Sequence, residues 1–269
     1  MPLINVRGIN FFYREAGEGA PLLLIHGAFG HADVWSSVFE TLARDHRVIA
    51  YDRRAYTRSK AAPPPPAHFY STHGDDAAEL LRALAAAPAT VVGWSGGGLT
   101  ALHLASRHPT LVSRLVLEEP PFQLAANPTP DVAAVFQREE QLAGEGRLRD
   151  AAEVFLRFAL SYRTGGTAFD TLEPALRESM VANTGTMIAE RQAGTGEELT
   201  EEQLQGITCP VTCLVGELTP EVIVAGTDRL VRLLSQARII RIADAAHAIH
   251  IDQPERFVDA VRSAVVAGV

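Results

Sequence analysis

The chain has no apolar stretch of the roughly 18 residues that a membrane-spanning helix needs. It also has no block of basic residues and only two cysteines. The first absence argues against a membrane span. The second argues against nucleic acid as a partner, since 24 Lys and Arg face 32 Asp and Glu, a formal charge of −8. The cysteines, Cys209 and Cys213, lie four apart in a β-branched run. That is too close to bridge from one straight strand, so they read as buried free thiols in a reducing, cytoplasmic setting. The opening residues MPLINVRGINFFYREAG lack the basic and long apolar regions of a signal peptide and read as two short strands. No repeat is visible, and 47% hydrophobic with 21% charged residues is globular composition. Self-association as a homodimer stays open.

What is present is an alternation of apolar runs and amphipathic stretches. Strands are predicted at Leu22–His26, Arg47–Asp52, Thr90–Trp94, Leu115–Glu119, Val211–Gly216 and Arg238–Ile242. Helices are predicted at Ala32–Arg44, Gly74–Ala87, Gly97–Arg107, Ala225–Leu234 and Pro254–Val266. Strands alternating with helices imply crossovers and a parallel sheet, and strands apolar on both faces imply helices on both sides. Ile4–Val6 and Ile9–Arg14 read as an antiparallel edge hairpin. Pro63–Pro66 reads as an extended surface loop. Residues 120–208 break the rhythm. They carry helical patterns at Asp131–Ala143, Leu148–Tyr162, Ala175–Asn183 and Glu197–Leu204 and no convincing strand. The expectation is an α/β core of residues 1–119 and 209–269, with about eight mostly parallel strands, and an inserted helical lid at 120–208.

The sharpest motif is Gly93-Trp94-Ser95-Gly96-Gly97, between a strand and a helix. Such an elbow holds a serine in a strained turn above the sheet, and small residues two before and two after let it close. With 11 serines and 21 glycines in 269 residues, Gly-x-Ser-x-Gly arises by chance only about 0.07 times. A phosphate loop would need spacings that are not there. Gly96 offers an N–H at a helix start, where negative charge is stabilised. A second donor, Ala28, is expected in His26-Gly27-Ala28-Phe29-Gly30 after the preceding strand. A serine also needs a base. His247 and His250 fall on the loop between the last strand and last helix, on the elbow's side of the sheet. His247 is favoured, because the small run Ala243–Ala246 lets it approach. His26, His103 and His108 read as a loop brace and helix-end residues, and His31, His46, His68 and His73 as solvated. A metal held by His247 and His250 lacks further ligands.

HGAFG (26–30), YDRRAYTRS (51–59), GWSGGG (93–98), RHPTLVSRLVLEEPP (107–121) and AHAIHIDQPERF (246–257) together resemble the α/β-hydrolase fold family. The resemblance implies Ser95 as nucleophile, His247 as general base, Ala28 and Gly96 as oxyanion hole, and no metal or cofactor. Two departures stand out. Ala55 and Thr57 replace glycines of the family's DRRGxGxS. Thr219 stands where a GxxD acid is common, and a threonine cannot stabilise an imidazolium. Some branches place the acid after the preceding core strand, here Glu118-Glu119. Neighbouring strand residues point oppositely, so at most one should reach His247. Glu119, at the strand's end, is favoured, with Glu118 and Glu217 as alternatives. The expected activity is hydrolysis of an ester, lactone or thioester of a small, hydrophobic substrate. Carbon–carbon hydrolysis, perhydrolysis and ligand reception are rivals on the same residues. Candidate substrate contacts are His26, Phe29, Trp94, Phe122 and Phe158.

Overall fold

A computed structural model describes residues 2–60, 69–193, 199–234 and 236–266. Among these residues eight strands make one sheet: β1 (Leu3–Val6), β2 (Ile9–Ala16), β3 (Pro21–Ile25), β4 (Arg47–Tyr51), β5 (Ala89–Trp94), β6 (Val112–Glu118), β7 (Val211–Gly216) and β8 (Ala237–Ile242). Their order is β1-β2-β4-β3-β5-β6-β7-β8. β1 pairs antiparallel with β2, and β2 with β4; the remaining pairs are parallel. The helices are α1 (Ser36–Leu42), α2 (Phe69–Ala83), α3 (Gly96–Arg107), α4 (Pro130–Gly144), α5 (Leu148–Ala159), α6 (Pro174–Val181), α7 (Thr184–Gln192), α8 (Glu201–Gln205), α9 (Glu221–Leu233), α10 (Ile249–Asp252) and α11 (Pro254–Val266). This is the helix-flanked, mostly parallel sheet that the sequence predicts.

The two-residue period of the strands divides the core. Leu22, Leu24, Val48, Val92 and Val116 pack on one face against Trp35, Phe39 and Phe257. Leu23, Ile25, Ile49, Val91 and Leu115 pack on the other against Leu81, Leu102 and Leu230. A strand buried on both faces must be apolar throughout, which is why these runs show no polar alternation.

Several predicted boundaries shift for identifiable reasons. The stretch Ala32–Arg44 is a 3-10 turn (Ala32–Trp35) followed by α1. α2 begins at Phe69, so Gly74 lies inside it rather than starting it. A Cβ there would come within 3.0 Å of the Leu104 backbone nitrogen and 3.1 Å of His103 Cβ, so Gly74 serves the contact of α2 with α3. The helix predicted to run to Asn183 ends at Val181, and α7, which the sequence does not announce, begins at Thr184. α8 starts at a Thr200–Gln203 capping box; residues 197 and 198 of its predicted span lie outside the described residues. So do the Pro63–Pro66 run and His68. Among the described residues of 120–208 there is no strand, only an isolated Ser161–Thr167 bridge, and no described helix is long and apolar enough to cross a membrane.

Both cysteines are free; Cys213 is buried and Cys209, contrary to expectation, only half-buried. Burial pushes the Cys213 thiol up to about 12 and the Cys209 thiol up to about 11. A thiol attacks as thiolate, so native protein at about pH 8 should release no fast equivalent of thionitrobenzoate from Ellman's reagent, and denatured protein should release both. A fast equivalent from native protein would contradict this burial.

Candidate active site

The carboxyl ends of the parallel strands place the predicted residues on one side of the sheet. β5 ends at Trp94 and α3 starts at Gly96. Between them Ser95 takes φ 53°, ψ −122°, a region that costs a non-glycine residue strain. The neighbouring backbone imposes that turn. A Cβ on Gly93 would meet Gly97 O at 2.5 Å, and one on Gly97 would meet Ile25 O at 2.1 Å. The Ser95 N–H donates to Glu118 O at 2.8 Å, and Gly98 N–H donates to Ser95 O at 2.8 Å.

Gly96 opens α3, where first-turn N–H groups have no acceptor within the helix. A Cβ built on Gly96 lies 3.7 Å from Ala28 N, so both proposed donors border the same spot. Ser95, Gly96, Ala28 and His247 all line one cleft.

His247 Nδ1 lies 2.8 Å from Glu119 Oε2. The other oxygen of Glu119, Oε1, accepts from Gly216 N at 2.8 Å and from Thr219 Oγ1 at 2.6 Å. An unpartnered buried carboxylate costs several kcal/mol; three partners at these distances offset that cost. Thr219, which occupies the common acid position, thus donates to the carboxylate of the neighbouring strand. Its role has no signal in the sequence, because the contact joins residues 100 apart.

The two glutamates diverge because β6 ends at Glu118 and Glu119, just beyond it, takes a left-handed backbone with φ 45°. Glu118 turns to His250, with Oε2 at 2.8 Å from Nδ1 and Oε1 accepting the His250 N–H at 3.1 Å. The His250 ring packs against Trp35 and Trp94, with centroids at 4.4 and 4.9 Å. Glu217, the other alternative acid, is exposed.

The cleft walls are apolar: Leu99, Phe136, Phe155, Phe158 and Met187, with the guanidinium of Arg191 as a charged exception. Arg191 packs on Phe136 and Phe155 and pairs with buried Glu139. Of the five predicted substrate contacts, Phe158 alone lines the cleft. His26 is fully buried, and its Nε2 accepts from Arg53 N at 3.0 Å. Burial, reinforced by the Arg53 charge, pushes its pKa well below the usual histidine value, so it is a neutral brace. Phe29 is buried against Phe155 (centroids 5.3 Å), and Trp94 donates from Nε1 to His247 O at 2.8 Å. Phe122 is buried in the core face beneath.

Three histidines read as solvated are buried instead. His31 contacts Ser179 Oγ at 2.6 Å, and His73 contacts Glu190 Oε1 at 2.6 Å; His46 is 6% exposed. Ser179 and Glu190 lie far along the chain from His31 and His73, so no local pattern could reveal these two contacts. The wall residues Phe136 and Arg191 were missed for the same reason: a helical phenylalanine or arginine carries no mark of which surface it meets.

The likeness to known proteins covers this whole arrangement. A profile of the alpha/beta hydrolase fold matches residues 20–254. A pimeloyl-[acyl-carrier protein] methyl ester esterase of Chromobacterium violaceum is 30% identical over 256 residues, 94% of this chain and 97% of the relative. An uncharacterized hydrolase, YraK of Bacillus subtilis, is 38% identical over 117 residues, and that match spans only 43% of its length. The enol-lactonase of Burkholderia xenovorans LB400 superposes with a TM-score of 0.81 at 22% identity, covering 98% of this chain and 99% of that one. With sheet order, serine elbow and family match in agreement, the chain belongs to the alpha/beta hydrolase fold family.

Proposed function

We propose that the chain is a serine hydrolase that cleaves carboxylic esters, thioesters or lactones of small apolar acids through an acyl-serine. The observation that carries this is the 2.8 Å His247 Nδ1–Glu119 Oε2 contact, with His247 and the strained Ser95 on one cleft. Ser95 Oγ attacks the carbonyl carbon while His247 Nε2 takes its proton. Glu119 holds the other ring nitrogen, which fixes the tautomer and stabilises the imidazolium. The N–H groups of Ala28 and Gly96 receive the oxyanion. His247 then protonates the departing alcohol or thiol, and water, deprotonated by His247, releases the acid. Written this way, the chemistry needs no cofactor. A relative named for cleaving a methyl ester supports the ester class.

Residues 120–208 serve as the lid. The support is that Phe136, Phe155, Phe158, Met187 and Arg191, all from this segment, wall the cleft. The apolar wall favours an aliphatic or aromatic acyl group over a highly polar one. A small-molecule substrate in the cytoplasm fits the negative charge and the two free thiols.

The test is a fluorophosphonate probe followed by a panel of p-nitrophenyl esters of increasing acyl length. Label should appear on Ser95, turnover should fall in step with labelling, and uncharged acyl chains should be preferred. Turnover that survives complete labelling would rule out the acyl-serine route.

A further inference from the structure

The loop that carries Ala28 is a single tight turn, with Gly30 N–H donating to Gly27 O at 3.2 Å. Its first half is fixed from the core, by the Arg53 backbone N–H on His26 Nε2 at 3.0 Å and by Arg53 Nη2 on Gly27 O at 3.2 Å. Its second half is held from the inserted segment. Asn183, fully buried, donates from Nδ2 to Phe29 O at 3.0 Å and to Gly30 O at 3.1 Å. Its Oδ1 accepts from Thr57 N at 3.0 Å. The amide orientation follows from these partners: the two carbonyls only accept, and the Thr57 N–H only donates.

Three non-glycine residues with positive φ gather here: Phe29 (59°), Ala55 (67°) and Thr57 (37°). Such conformations persist only where surrounding contacts over-determine them. Asn183 supplies contacts for Phe29 and Thr57, and Thr186 Oγ1 donates to Ala55 O at 2.8 Å. The two positions where glycines are replaced in the 51–59 loop are therefore the ones docked on the start of α7.

We infer that Asn183 is a positioning residue for the oxyanion loop: its carboxamide, reaching from the inserted segment, sets the direction of the Ala28 N–H. The inference rests on the acyl-serine reading above. An oxyanion donor contributes through its placement, and a displacement of about 1 Å costs on the order of 100-fold in rate.

The deciding variant is Asn183→Asp. It keeps shape and the acceptor for Thr57 N and removes both donors to the loop carbonyls. Turnover is normalised to fluorophosphonate-reactive sites, so that unfolded molecules do not count. We expect kcat to fall about 10- to 100-fold with KM changed less than about threefold. Affinity for a trifluoromethyl ketone should fall in the same ratio as kcat. Asn183→Ala should behave alike. Thr186→Ala, which loosens α7 from Ala55 and leaves the oxyanion loop alone, should lose much less. Asn183→Asp within about twofold of the parent in kcat overturns the inference, as does an equal loss from Thr186→Ala, which would assign both to docking of the segment. Parent protein that takes no label at Ser95 would instead overturn the acyl-serine reading, and this inference with it.

Discussion

Ser95→Ala is expected to abolish ester turnover, with a loss on the order of 10⁶ in kcat. In the proposed route the serine forms the covalent intermediate; without it, His247 and the oxyanion donors would retain only the fraction of catalysis that comes from binding and electrostatics, about 10³–10⁴ over water. Alanine fits the site sterically, so the loss should come without unfolding. Ser95→Gly separates chemistry from strain. The parent residue sits at φ 53°, a conformation costing about 1–3 kcal/mol for a non-glycine side chain. Glycine removes that cost and adds about 0.5–1 kcal/mol of unfolded-chain entropy. The glycine variant should therefore be inactive yet melt at least as high as the parent. A variant at position 95 that keeps turnover would end the acyl-serine proposal; a lower melting temperature for the glycine variant would show that the elbow is not strained.

Glu119→Ala is expected to lower kcat on the order of 10³–10⁴, while Glu217→Ala leaves it near the parent value because that side chain is exposed. Alanine also leaves the Gly216 N–H and the Thr219 hydroxyl without their acceptor, at about 1–3 kcal/mol for each buried group left unsatisfied. Stability should therefore fall together with activity. Glu119→Gln separates the two. Its amide oxygen can still accept from Gly216 and Thr219. Its nitrogen then faces His247 Nδ1 and makes that atom an acceptor, which places the ring proton on Nε2, where the serine proton must go. The glutamine variant should thus be nearly as stable as the parent and nearly as inactive as alanine. A glutamine variant with more than about a tenth of parent activity would remove Glu119 from the mechanism.

Much of this molecule is legible locally. The strand runs Leu22–Ile25 and Val211–Gly216 announce themselves because two buried faces demand unbroken apolar sequence. The elbow announces itself because Gly93 and Gly97 are required by contacts within its own turn and with the strand next to it. The position of His247 follows from chain order alone, since the loop after the last parallel strand must emerge on the elbow's side. The glutamate pair 118–119 could be placed at a strand end from the sequence, but their divergence comes from the left-handed turn at Glu119, φ 45°, just past β6.

The rest depends on contacts between distant residues. The burial of His31 and His73 is not legible in the sequence, because Ser179 and Glu190 meet them only in the folded chain. His26, Phe29, Trp94 and Phe122 are expected from the sequence as substrate contacts. The fold uses them instead as bracing and core. Much of the cleft wall comes from the segment 120–208, whose helices carry apolar residues for their own packing and for the cleft alike.

By itself, then, the sequence determined the sheet, the elbow, the order of serine, carboxylate and histidine along the chain, and the family. Only the tertiary structure decided which oxygen of Glu119 meets which donor, that Thr219 serves that carboxylate, and that Asn183 holds the loop of Ala28. The physical reason is range. Periodicity and turn geometry act over a few residues and are written in them, whereas a buried hydrogen bond is specified by two surfaces that meet only when the chain has folded.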